Sequence, residues 1–198
     1  LRRATPDPNI RITLTGASRP LAGDPALTFL QRLFGAPSDR LALRPLYAAI
    51  VAEARDPAWY REGGVPDTVE GRFDMVSALL ALVLLRLEAE GDKARRESVL
   101  LTELFVDDMD ASLRELGTGD LMVGKGIGKL MGALAGRMAS FRDSLADAAA
   151  FEASVRRNVF RDAPSSDDAV RFVADALRRR HAALSAVPLE RLLAGDIG

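Results

Sequence analysis

Eleven consecutive residues, Met75 to Leu85, contain a single polar side chain, Ser77. As a helix this run is apolar on every face. Such a helix is either enclosed by other elements or lines a surface meant for another apolar object. A bilayer span takes about 20 apolar residues, so the run is too short to cross a membrane. Burial in a core is the expected use, and the rest of the chain must supply the walls.

The walls are expected to be helical. Asp67 with Glu70 makes a capping-box-like start for the apolar helix, which runs to about Glu90 before Gly91 closes it. Upstream, Asp24-Pro25 reads as N-cap and first turn for a stripe of Leu27, Leu30, Leu33 and Phe34. A second helix is expected from Pro45 to Arg55, with an earlier turn from Ser38, and Asp56-Pro57 ends it. The segment Pro57–Pro66, with Gly63 and Gly64, reads as a loop. Downstream, helices are expected over about Asp92–Leu116, Asp120–Leu145 and Asp147–Phe160, with Gly117 and Gly119 as a break. A further one runs from a Ser165 or Ser166 cap to about Ala183, and Pro188 opens a last short turn. Nothing alternates long enough to form a sheet, and there is no internal repeat. The expectation is an all-α fold of about seven helices, with one domain over residues 26–198.

Residues 1–25 differ from the rest. They hold four of the ten prolines and show no helical period. Their arginines are suggestive of a transit peptide, but Pro6, Pro8 and Pro20 would break the amphipathic helix such a peptide needs. An apolar core of the secretory kind is missing as well. The segment is read as an irregular tail.

Composition excludes much chemistry. With 198 residues the chain can bury a core without staples. There is no cysteine, so thiol catalysis, disulfides and cysteine-bound metals are out. The lone histidine, His181, excludes His-pair metal sites. A net charge of −1 gives no overall pull towards nucleic acid. Gly119 to Lys125 matches the spacing of a phosphate-binding loop. However, Gly126 stands where Ser or Thr would hold magnesium, and the preceding element is a helix where a strand is required. No nucleophile elbow is present. Neither a catalytic group, a cofactor nor a metal is expected.

Three surface patterns remain. Gly124, Gly128, Gly132, Gly136 and Ser140 recur every four residues, so one helix face is built of small residues. Close internal helix packing is the expected use, with a membrane-protein partner as the alternative. Glu103, Asp107, Asp108 and Asp110 read as a solvated acidic face. Arg178–Arg180 and His181 fall in the last turns of their expected helix, where cations suit the macrodipole. On residues alone, the chain is a soluble helical interaction domain and not an enzyme. The alternative is a small-molecule-binding or enzymatic α domain with an enclosed pocket.

Other stretches of the sequence resemble the ubiquinol–cytochrome c chaperone family. They are Leu46–Arg55, Trp59-Tyr60, Gly64–Thr68 and Gly71–Asp74, then Phe105–Asp120 with Val123-Gly124-Lys125 and Lys129, then Arg156–Val159. The resemblance covers about Phe29 to Phe160, and the block from Met109 to Lys125 is its specific part. It implies an all-helical assembly factor for the cytochrome b subunit of respiratory complex III. Such proteins hold newly made cytochrome b, in mitochondria with a small partner chaperone near the ribosome. For this chain it implies a bacterial cytoplasmic protein peripheral to the inner membrane. The partner-contacting residues it suggests are Trp59, Tyr60, Phe73, Asp74, Asp110, Arg114, Asp120, Lys125 and Lys129. Arg114 is expected to tie its turn to Asp110 or Asp74, and Asp120 to cap the next helix. After Lys125 the sequence departs from the family pattern, with Gly126, Gly128, Gly132 and Leu134-Ala135 in place of charged and aromatic residues.

Overall fold

The apolar run sits at the centre of the described residues. The computed structural model describes residues 37–115, 120–161 and 163–198, with the side chains of all but residues 37, 38, 113–115, 120–125 and 127. Nine α-helices follow one another among the described residues: α1 (Pro37–Ala42), α2 (Arg44–Ala54), α3 (Pro57–Arg61), α4 (Val69–Glu88), α5 (Arg95–Glu115), α6 (Asp120–Ser144), α7 (Ala148–Val155), α8 (Asp167–Ala186) and α9 (Leu189–Leu193). A 3-10 turn, Gly91–Ala94, precedes α5, and a π turn, Arg156–Phe160, follows α7. There is no strand among the described residues, so the fold is all-α.

Helix α4 carries the run. Every residue from Met75 to Leu84 is buried, because α2, α5, α6, α8 and the π turn pack around it. The helix is core, as its composition predicts. Its neighbours each turn an apolar stripe inward: Leu46 and Ile50 from α2, Leu101 and Phe105 from α5, and Leu134 and Phe141 from α6. Val170, Val173 and Leu177 do the same from α8. Each side chain of this size contributes about 1.5–3 kcal/mol on full burial.

The helix ends are satisfied locally. Thr68 Oγ1 accepts from Gly71 N at 3.1 Å, Asp147 Oδ1 from Ala150 N at 2.8 Å, and Ser166 Oγ from Ala169 N at 3.1 Å. The cap of α4 is thus Thr68 and not Asp67, which pairs with Arg72 at 2.6 Å. One turn into α4, a Cβ on Gly71 would lie 1.9 Å from the Pro66 carbonyl oxygen, so only glycine lets the chain enter the helix here. At the far end of α4, Arg86 donates to the carbonyls of Leu184 and Val187 at 3.1 and 3.2 Å. It thereby closes the C-terminus of α8.

Two expectations about elements need correction. Residues 57–61 form α3, not a loop: Asp56 Oδ1 accepts from Ala58 N at 2.9 Å and Pro57 supplies the first turn. Helix α8 continues to Ala186, so Arg178–Arg180 are not in its last turn. Arg180 bridges instead to Glu53 at 2.6 Å and to the carbonyl of Gly198. The expected helix after Asp24-Pro25 and the tail lie outside the described residues.

Candidate functional site

Six of the nine residues suggested by the sequence have described side chains, and two of these, Trp59 and Asp74, are buried. Trp59 is 5% exposed and its Nε1 donates to the Glu53 carbonyl at 2.8 Å. Tyr60 donates its hydroxyl proton to the Ala54 carbonyl at 2.6 Å. Both aromatic residues fold back to satisfy the last carbonyls of α2, groups that the helix itself leaves unpaired. Burial raises the Tyr60 hydroxyl above its ordinary range. Phe73 is half-buried against Phe105, with ring centroids 5.8 Å apart. Asp110 is half-buried on α5, and Lys129 is exposed on α6. The side chains of Arg114, Asp120 and Lys125 lie outside the described residues, and with them the expected cap and tie of that turn. Trp59 is part of the core.

Asp74 is 2% exposed and joins two guanidinium groups. Its Oδ1 accepts from Arg137 Nη2 at 2.8 Å and from Arg161 Nη2 at 2.7 Å. Arg137, also 2% exposed, donates in addition to the Asn158 carbonyl. Burial pushes the Asp74 carboxyl up, and the two guanidinium groups beside it oppose that shift. Arg137 and Arg161 were not singled out from the sequence. The signal for Arg137 was its place, an arginine at the inward spacing of Leu134 and Phe141 on an otherwise apolar face.

The acidic face is only partly solvated. Asp107 and Asp108 are exposed, but Arg40 on α1 approaches Asp107 at 3.0 Å and Glu103 at 3.8 Å. Tyr47 on α2 donates to Asp108 at 2.7 Å. Burial raises the Glu103 carboxyl. No group of three or more metal-ligating side chains occurs among the described residues.

Gly128, Gly132 and Gly136 face open space, against the expectation of internal packing, whereas Ser140 of the same pattern meets Ser154 at 2.6 Å and the surroundings of Gly124 lie outside the described residues. A Cβ built on Gly128, Gly132 or Gly136 meets nothing within 4 Å. These glycines, with Met131, Ala135 and Ala139, make an exposed, uncharged stripe on α6. It is about 16 Å long at 1.5 Å per residue. Lys129 flanks it, and Arg142 and Asp143 end it. Leu134, between these residues in sequence, points the other way into the core. Two concavities among the described residues are open grooves. One of about 580 Å³ runs between Leu85, Ala89, Leu145 and His181, and another of about 350 Å³ lies between Trp59 and Phe172. No helix among the described residues is long and apolar enough to cross a membrane.

Comparison with known proteins identifies relatives of this arrangement. The family model described as ubiquinol-cytochrome C chaperone matches residues 61–197. The match runs through α8 and α9, beyond the point where the resemblance in the sequence stopped. The crystal structure of the Cbp3 homolog from Brucella abortus is similar, with 30% sequence identity and a TM-score of 0.72. The similarity covers 87% of this chain and 95% of that one. No curated protein matches the chain.

Proposed function

The chain belongs to the ubiquinol–cytochrome c chaperone family, and from that premise we propose that it is a non-enzymatic assembly factor that holds newly made cytochrome b. The observation that carries this reading is the open stripe of Gly128, Met131, Gly132, Ala135, Gly136 and Ala139. A membrane subunit in synthesis presents long apolar helices, which aggregate unless they are covered or inserted. Small residues let another helix backbone come close along the whole stripe, so many weak dispersion contacts add up without a deep pocket. The charged side chains at its edges keep the free protein in solution. A narrow stripe holds its client loosely enough to release it. The work is done at the inner membrane surface, where cytochrome b is inserted, with the ribosome or a small partner chaperone as further contacts.

Deleting the gene tests this reading. Cytochrome b and assembled complex III should fall while the other respiratory complexes keep their levels. Normal cytochrome b content in the deletion cells would defeat the proposal.

A further inference from the structure

The turn after α7 gathers four features, each uncommon by itself. Arg156–Phe160 form a π turn, a wider spiral than the α-helix that recurs at functional positions. Arg161, which ends it, has a φ of 51°, in the region that favours glycine. Arg161 and Arg137 both donate to the same oxygen of buried Asp74. Finally, Nε and Nη1 of Arg137 are buried with no hydrogen-bond partner. A guanidinium keeps its charge inside a protein, so burying it with donors unfilled is a standing penalty.

One movement relieves the strained backbone and the idle donors together. If Arg161 leaves Asp74 and the π turn lifts from α4, Arg161 escapes its strained backbone and water reaches the idle donors of Arg137. The apolar contacts of Phe151, Val155, Val159 and Phe160, all buried, oppose the movement. We propose that Asp74, Arg137 and Arg161 form a latch with two states. It is closed here; in the open state α7 and the π turn detach from α4 and α6 while α2, α4 and α5 keep their packing. Opening uncovers part of the apolar wall of α4, giving a chaperone a second apolar surface that it shows only on demand. That use rests on the function proposed above; the latch does not.

Hydrogen exchange on the full chain, without client, tests it. Amides in 148–161 should exchange through an opening about tenfold more frequent than the one that releases 75–87. Asp74→Asn removes the anion between the two guanidinium groups and should raise the opening frequency about tenfold more. Arg137→Lys keeps a positive charge beside Asp74 but removes Nε and Nη1, the two buried nitrogens without partners, and should lower it about threefold. If Asp74→Asn does not fold, Arg161→Ala breaks the latch from its half-exposed side and should also speed the opening. An ordinary structural ion pair would make the lysine variant open faster, as the others do. That result overturns the latch, as does wild-type exchange of 148–161 in step with 75–87. Either failure leaves the proposed function standing.

Discussion

Gly71 and Gly132 are both glycines within long helices, yet they do opposite things. A side chain on Gly71 would collide with backbone, whereas one on Gly132 meets open space. Gly71→Ala should therefore destabilise the protein by more than about 2 kcal/mol, and Gly132→Ala should stabilise it by up to about 1 kcal/mol through helix propensity. Urea unfolding separates them, and a destabilised Gly132→Ala would mean that the face is occupied. His181 offers a test by pH. Burial holds its imidazole below the ordinary value of 6.5. As pH falls through 6.5 the unfolded chain takes up a proton that the folded chain refuses, so stability drops until pH passes the lower folded value. His181→Gln should flatten the decline of melting temperature over that window. An equal decline in both proteins would assign the loss to other groups. Arg137 was legible only as an oddity of spacing; that Asp74 and Arg161 meet it depends on helices distant in sequence.

The larger helices were readable from period and caps because each signal is local. Ser166 and Asp147 cap helices at the positions their sequence suggests. Helix α3 was not readable. Gly63, Gly64 and Pro66 punctuate its neighbourhood, and five residues are too few to show a period. What holds it is tertiary: Trp59 and Tyr60 turn back and pair with the last carbonyls of α2. Trp59→Phe keeps most of the buried ring but takes the indole donor from the Glu53 carbonyl, which keeps the Asp56 N–H at 3.1 Å. It should cost about 1–2 kcal/mol, measured as a shift of the denaturation midpoint. Tyr60→Phe should cost about 1 kcal/mol for the same reason at Ala54. If neither midpoint moves, the aromatic residues fill space and their hydrogen bonds are idle.

At the scale of the molecule, sequence gives an enclosed α4 and a family, but not which face of α6 is outward. The glycine period alone fits an inward or an outward face, because either allows a close backbone approach. The deciding residues are the neighbours: Leu134, Arg137 and Phe141 turn inward and so leave Gly132 and Gly136 outside. This division yields a sharp pair of substitutions. Gly136→Asp places a charge on the open stripe, where water solvates it, so the circular dichroism spectrum and melting temperature should stay close to those of the parent. The same charge desolvated against an apolar client helix is costly, so capture of cytochrome b should fall. Leu134→Asp puts the identical group into the core beside Phe141 without a partner, and the domain should unfold. A stable Gly136→Asp protein that still captures cytochrome b at full strength would remove the stripe from the client interface. An unfolded one would show that α6 is covered on that side.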